Sequence, residues 1–304
     1  MNTANGNDPN HEFRSGFVAI LGAPNAGKST LLNRLLGQKI SITSKKPQTT
    51  RNRILGVVHR TGSQMVFLDT PGIHRARSPL NARIVEAALS TLSEVDLVLL
   101  VVDAQTPDEP SERLLLDKLS QQRLPVLLAL NKIDQVQRPA LLSQIERWSG
   151  LIPFAAVVPI SAKNGEQVDR LMDAMEATLP AGVPFFPPES LTDLPARFIA
   201  AEMVREKAIR LTGQEIPYAV AVTIDSFKEE KKGALIRIHA TIHVERDSQK
   251  GIVIGRQGTK LKQIGEAARQ EIEEMLGSKV FLKLFVRVQK NWTRDTKALR
   301  KFGY

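Results

Sequence analysis

The sequence predicts a two-domain α/β protein, a mostly parallel sheet with helices on both faces followed by a smaller α+β domain. Three observations predict it. From Phe17 to Leu179, apolar runs of strand length alternate with segments whose apolar residues recur at helical spacing. At Pro180 to Pro188 that alternation stops in a proline cluster, which ends helices and stiffens a connection. Beyond it, runs such as Leu235 to Glu245 alternate apolar and polar residues, as strands of a sheet with one open face do. At 304 residues two domains are expected. Their predicted bounds are a flexible tail over 1–13, a first domain over 14–182, a linker over 183–195 and a second domain over 196–304.

The first strand, Phe17 to Leu21, runs into Gly22-Ala23-Pro24-Asn25-Ala26-Gly27-Lys28-Ser29-Thr30, and a helix with leucine pairs follows from Leu31 to Leu36. The pattern G-x-x-x-x-G-K-S at a strand-to-helix turn is a P-loop. Its glycines let backbone N–H groups converge on phosphate oxygens, and the helix N-terminus adds its dipole. Lys28 is placed to reach the β- and γ-phosphates, and Ser29 to offer its hydroxyl to Mg²⁺. After a polar stretch from Gln38 to Arg53, strands Ile54 to His59 and Gln64 to Leu68 flank the turn Thr61-Gly62. The second delivers Asp69-Thr70-Pro71-Gly72. Asp69 suits the magnesium shell, directly or through water, and Gly72 can donate its N–H to the γ-phosphate.

Alternation then continues: helix Leu80 to Leu92, strand Leu97 to Val102, helix Pro110 to Gln122, strand Leu124 to Leu130, helix Arg138 to Trp148, strand Ala155 to Ile160 and helix Glu166 to Leu179. Two of these strands end in chemistry. Asn131-Lys132-Ile133-Asp134 offers a carboxylate, Asp134, that can accept both the ring N–H and the exocyclic amine of guanine. Ser161-Ala162-Lys163 offers a backbone N–H to the guanine carbonyl. Adenine matches neither, and a site built on such bonds rejects the wrong base because its own polar groups stay unpaired. All four motifs fall beyond the carboxyl ends of strands, where open parallel sheets bind ligands.

In the second domain, Ala196 to Leu211 is a helix stopped by Gly213, Tyr218 to Ile224 and Leu235 to Glu245 are strands, and Lys228 to Gly233 is their charged connection. Gly255-Arg256-Gln257-Gly258 leads into a helix with Leu261, Ile264, Ala268, Ile272 and Met275 on one stripe, and Lys279 to Gln289 is a last strand. The glycines let a sugar-phosphate chain approach the backbone closely. Arg256, Gln257, Lys260, Lys262, Lys283 and Arg287 are the candidate RNA contacts, with Gly255 and Gly258. His239 and His243 read as strand-surface residues, since no further Cys or His partners lie near them.

Composition narrows the class. There is no cysteine, which excludes disulfides and Cys-ligated zinc and fits a reducing cytoplasm. No apolar run reaches the length of a membrane span, and the polar stretch Met1 to His11 has no apolar core that would make it a signal peptide. Most of the net charge of +10 lies from Phe185 onward, and near the end Lys279, Lys283, Arg287, Lys290, Arg294, Lys297, Arg300 and Lys301 face only Asp295. A polyanion is the expected partner, nucleic acid first and an anionic membrane surface second.

On its motifs, the first domain resembles the Era/MnmE branch of translation-factor-type P-loop GTPases. Gln48-Thr49-Thr50-Arg51 matches that family's first switch, and the resemblance implies that Thr50, with Thr49 as the alternative, completes the Mg²⁺ shell. After Asp69-Thr70-Pro71-Gly72 stands Ile73, not the glutamine that orients attacking water in Ras-like enzymes. Some members of the branch hold a potassium ion with the P-loop asparagine, here Asn25. The second domain resembles a KH domain of the bacterial ordering. One GTPase domain followed by one KH domain is similar to the Era GTPases, and the match runs from Phe17 to Tyr304, including Ile40-Ser41-Ile42-Thr43-Ser44. The resemblance implies GTP hydrolysis with Mg²⁺, GTP and GDP as ligands, binding near the 3′ end of small-subunit ribosomal RNA, and a role in maturing the small ribosomal subunit in the cytoplasm. No DNA partner is expected. Two alternatives stay open at this point: a GTP-gated RNA chaperone with incidental turnover, and a signalling GTPase peripheral at the inner face of the cell membrane.

Overall fold

The computed structural model describes residues 12–43, 53–72, 90–212, 220–230 and 234–302. In the first domain, strands β1 (Arg14–Leu21), β2 (Ile54–Arg60), β3 (Ser63–Asp69), β4 (Leu97–Asp103), β5 (Val126–Asn131) and β6 (Ala156–Ile160) form one sheet in the order β2-β3-β1-β4-β5-β6. Only β2 runs antiparallel, paired with β3 through the turn at Thr61. Every residue of β3, β4 and β5 is buried, as expected for strands covered on both faces. Alternate residues serve opposite layers. Ile20, Phe67 and Leu99 pack with Leu31 and Leu32 of α1 (Lys28–Leu36) on one side, while Leu21, Leu68 and Leu100 pack toward α2 (Glu109–Leu119) and Trp148 of α3 (Arg138–Ser149) on the other. The last helix of the domain is α4 (Val168–Thr178).

Several boundaries shift for local reasons. The helix expected from Pro110 starts at Glu109, because Asp108 caps it by accepting the Ser111 N–H, and it ends at Leu119 rather than Gln122. The helix expected from Glu166 starts at Val168, because Glu166 is bridged back to Ser161. Of the helix expected over Leu80 to Leu92, most lies outside the described residues, and its end is a 3-10 turn over Thr91–Glu94 that buries Leu92.

The proline-rich segment does not hang free. Gln64 Oε1 accepts the N–H groups of Phe185 and Phe186, at 2.6 and 3.0 Å. Leu191 O accepts the Val57 N–H at 2.8 Å, and the Thr192 hydroxyl donates to Leu55 O at 2.6 Å. It therefore covers the open edge of β2, which would otherwise expose unpaired ladder groups.

In the second domain α5 (Ala196–Leu211) is followed by β7 (Ala221–Glu230), β8 (Leu235–Val244), α6 (Asp247–Ile254), a 3-10 turn over Arg256–Gly258, α7 (Thr259–Leu276) and β9 (Lys279–Val288). The sheet order is β7-β8-β9, with β8 and β9 parallel. Lys228, Glu229 and Glu230 belong to β7 and not to a connection, because they pair with Arg237, Ile236 and Leu235 of β8 beyond a bulge that shifts the register between Ile224 and Ser226. Gly213 and Tyr218 lie outside the described residues. Ile238 and Ile242 of β8 pack with Met203 and Val204 of α5 and Ile264, Ala268 and Ile272 of α7.

The basic end of the chain is folded. A 3-10 turn over Trp292–Arg294 leads to α8 (Thr296–Lys301), and Trp292, Ala298, Leu299 and Phe302 form a small core with Ala221. This corrects the surface reading of His243. It is 4% exposed, lies 4.6 Å from the Phe302 ring centroid to centroid, and its Nε2 is 2.9 Å from the Thr223 hydroxyl. His239 stays half-buried on the open face, and no group of metal-ligating residues forms among the described residues.

Candidate nucleotide site and nucleic-acid interface

The P-loop turns between β1 and α1 with its lysine folded back. Lys28 Nζ donates to Gly22 O and Ala23 O at 3.0 and 2.9 Å, so the ammonium braces the loop that its neighbours' N–H groups line. Burial pushes its pKa down to about 8, with Asp69 acting in the opposite direction. Gly27 has φ 100°, and a Cβ there would fall 2.2 Å from Asn131 Nδ2. That closeness is functional, because Asn131 Nδ2 donates to Ala26 O at 2.8 Å while its Oδ1 accepts the Ala162 N–H at 2.9 Å. One buried amide thus ties the phosphate loop to the loop after β6. Asn25, at φ 64°, stands exposed at the rim.

Asp69 ends β3 fully buried. Its Oδ2 accepts the Ser29 and Ser41 hydroxyls, each at 2.9 Å, and its Oδ1 has no hydrogen-bond partner among the described residues. Burial raises its pKa, while Lys28, Ser29 and Ser41 act in the opposite direction. Gly72 lies against Pro24 of the P-loop, which brings the end of this motif to the phosphate side. Ser41 lies in the Ile40 to Ser44 segment of the family match, to which the sequence assigned no role. It is held because Asn33 Oδ1 accepts the N–H groups of Ile40 and Ser41, and Asn33 Nδ2 donates to Ser41 O. Thr49, Thr50 and Ile73 lie outside the described residues.

At the base end, Lys132 adopts φ 70° and its ammonium pairs with Asp103. Asp134 is exposed, and a hydrogen bond from Ser161 holds its carboxyl below the usual range, with its own burial acting the other way. It is therefore an ionised acceptor that faces solvent. Ala162 is buried and Lys163 exposed.

The G-x-x-G loop is built differently. Gly255 takes φ 70°, and a Cβ there would fall 2.6 Å from Lys260 Cβ, so the turn needs glycine. Gln257 also has positive φ. Arg256, Gln257 and Lys262 are exposed, Lys260 and Gly258 half-buried. Ile252, just ahead of the loop, leaves 41% of its surface in water. Lys283 and Arg287 lie on the opposite face of β9 from the helix-packed Leu282 and Leu284, so they do not share one surface with Arg256 directly.

Comparison with known proteins identifies this pairing of domains. A family described as 50S ribosome-binding GTPase matches residues 17–132, and one described as KH domain matches residues 215–293. The chain is 56% identical to the GTPase Era of Geotalea uraniireducens over 96% of its own length and 98% of the relative's, and 55% identical to that of Geobacter metallireducens over the same shares. The chain belongs to the Era family of GTPases. Its structure superposes with TM-score 0.91 and 41% identity on Era in complex with MgGDPNP and nucleotides 1506–1542 of 16S ribosomal RNA, covering 96% of this chain and 99% of the other. The same scores and coverage hold for a variant of Aquifex aeolicus Era bound to GDP·AlF4⁻. This Era-family chain is thus a GTP-hydrolysing enzyme, and among its described residues no helix is long and apolar enough to cross a membrane.

The donor set fits a magnesium ion. Asp69 Oδ1 is buried and unpartnered among the described residues, and the two groups that would share a magnesium ion, Ser29 and Asp69, already lie within a hydrogen bond of each other. The Era-family chain also carries a junction that no motif announced. Lys39 Nζ bonds Glu206 of α5 at 2.7 Å and Glu271 of α7 at 2.9 Å, and Glu271 pairs in turn with Lys207. Burial opposes the charge on Lys39, yet the two carboxylates raise its pKa. Gln38 Nε2 reaches Met275 O and the Thr43 N–H reaches Glu206, each at 3.4 Å. Segment 38–43 therefore contacts the second domain at both ends and Asp69 in its middle.

Proposed function

We propose that this chain is a GTP-driven switch that binds small-subunit ribosomal RNA near its 3′ end in the cytoplasm and assists maturation of the small ribosomal subunit. Residues 14–182 act as the switch and 196–304 as the RNA-binding arm, joined by the linker over 183–195. The observation that carries this reading is segment 38–43, which touches the buried Asp69 through Ser41 and the second domain through Lys39. Its likeness along nearly the whole chain to an Era held with MgGDPNP and a 16S ribosomal RNA segment supports the same partner here.

In this reading Gly22, Asn25, Ala26, Gly27, Lys28, Ser29 and Thr30 wrap the phosphates, with Lys28 turning from the loop carbonyls to phosphate oxygens. Gly72 donates its N–H to the γ-phosphate. Asn131 keeps the two loops in register, Lys132 lines the base pocket, Asp134 accepts from guanine, and the Ser161-Ala162-Lys163 loop donates to it. Ser29, Thr50 and Asp69 would hold the Mg²⁺ ion, Asp69 directly or through water. The bound ion supplies charge neutralisation between the phosphates. Catalysis by the chain's own groups is positioning and charge stabilisation, with no general base. Intrinsic turnover is accordingly slow, roughly 10⁻⁴ to 10⁻² s⁻¹. Asn25 is proposed as a potassium ligand, and equal rates in potassium and sodium at equal ionic strength would remove it from the mechanism.

The deciding experiment measures binding of an RNA comprising nucleotides 1506–1542 of 16S ribosomal RNA with GDP or a GTP analogue bound. Affinity that differs between the two states supports the switch. Equal affinity, with RNA failing to change GTP turnover, would leave a chaperone with incidental hydrolysis. Capture by anionic vesicles in preference to that RNA would favour the membrane reading.

A further inference from the structure

Strand β9 is one edge of the second-domain sheet, and its two faces differ in kind. Val280, Leu282, Leu284 and Val286 turn toward the helices. Lys279, Phe281, Lys283, Phe285 and Arg287 alternate on the other face, and all five are exposed. Charged residues on an edge strand are expected, since they discourage pairing with another strand. Phenylalanines are not. Phe281 and Phe285 nonetheless leave 45% and 44% of their surface in water, on a face where α8 covers only the far end through Phe302 and His243.

Their surroundings are those of a nucleic-acid platform. The Arg237 guanidinium carbon lies 4.7 Å from the centre of the Phe281 ring, and Lys283 Nζ lies 5.1 Å from that of Phe285. The nearby carboxylates are already engaged, Glu230 with Arg237 at 3.0 Å and Asp225 with the Thr241 hydroxyl at 2.6 Å. Lys283 and Arg287 have no carboxylate partner among the described residues. At a strand rise of about 3.3 Å per residue the two rings stand about 13 Å apart, room for separate bases on each. Regularly spaced cations without counter-charges match a polynucleotide backbone, and a flat aromatic face matches only bases that are unpaired.

We propose that this outer face of β9 is a second RNA surface, on which Phe281 and Phe285 each stack one unpaired base while Lys279, Lys283 and Arg287 hold the adjoining phosphates. It rests on the reading of the second domain as an RNA-binding arm and extends it. Because α6, which carries the chain into the G-x-x-G loop, packs against β9, a strand of RNA lying over that loop reaches this face by passing round the sheet edge.

The test measures affinity for the 16S ribosomal RNA segment named above, as a function of salt, for Phe281→Ala/Phe285→Ala, Phe281→Leu/Phe285→Leu and Phe281→Trp/Phe285→Trp, with thermal unfolding to verify the fold. Loss of a stacked base weakens binding roughly tenfold or more per ring. The alanine and leucine pairs should therefore lose about a hundredfold with an unchanged salt slope, and the tryptophan pair should keep wild-type affinity. Lys283→Gln should instead lower the slope by about one. Affinity within about twofold of wild type in the folded alanine and leucine pairs, while Arg256→Asp/Gln257→Asp lowers it about a hundredfold, would overturn this surface and leave the RNA-binding arm intact. No binding by the wild-type chain would overturn that arm and this surface together. Retained RNA affinity with lost capture by phosphatidylglycerol vesicles would assign the phenylalanines to a membrane instead.

Discussion

The phosphate loop and the G-x-x-G loop are both glycine turns that start a helix, yet they are held in opposite ways. The first is fastened from three directions: Lys28 bonds its own carbonyls, Asn131 joins it to the loop after β6, and Gly72 abuts Pro24. Nearly all of these groups are buried. Among the described residues the second is fastened by its own turn, with Gly255 N–H on Gly251 O, Gly258 N–H on Gly255 O and the Thr259 hydroxyl on Arg256 O. Its charged side chains stand in solvent. Buried polar groups discriminate because leaving one unpaired is costly. Exposed charges attract any phosphate chain and leave base choice to neighbouring apolar and aromatic surface.

That contrast can be tested from its strongest consequence downward. Asp134→Asn exchanges an acceptor pair for a donor and an acceptor, so preference between GTP and XTP should shift by about 10⁴, the scale of a site built on hydrogen bonds. Nucleotide competition checks it, and a variant that still prefers GTP strongly would remove Asp134 from base recognition. Arg256→Asp with Gln257→Asp should lower RNA affinity about a hundredfold, since like charges brought together cost several kcal/mol. GTP affinity and melting temperature should hold, as read by filter binding and calorimetry.

Asn131→Ala is the intermediate case. It leaves the Ala26 carbonyl and the Ala162 N–H without partners, at about 1–3 kcal/mol each, so stability and GTP affinity should fall together. A variant that loses affinity alone would mean that Asn131 acts on the nucleotide and not as a clamp. The smallest effect belongs to Lys39→Gln. Its ammonium is partly exposed and the fully buried Glu206 keeps Arg210 at 2.9 Å, so stability should change by about 1 kcal/mol. The difference in RNA affinity between GTP-analogue and GDP forms should shrink nonetheless. An unchanged difference would break the link drawn through segment 38–43.

Much of this protein was legible in its sequence because the signals are local. The strands from Phe17 to Leu21 and Leu97 to Val102, and the helix from Ala196 to Leu211, needed only periodicity. Where periodicity and hydrogen bonding disagree, bonding wins: Glu166 pairs with Ser161 before α4 begins, and Lys228 to Glu230 stay in β7 because they pair across to β8. His243 was misread for a longer-range reason. Alternation places it correctly on the outer face of β8, but alternation carries no information about which part of that face α8 returns to cover.

The sequence by itself determined the order of elements, the spacing of the four nucleotide motifs, the G-x-x-G loop and the basic C-terminal excess. These follow from residue type and short separations along the chain. Only the tertiary structure decided that Ser41 reaches Asp69, that Asn131 clamps two loops, that Lys39 meets Glu206 and Glu271, and that Phe281 and Phe285 remain uncovered. Each depends on groups far apart in sequence whose meeting is set by how whole layers pack. No local pattern of hydropathy encodes it.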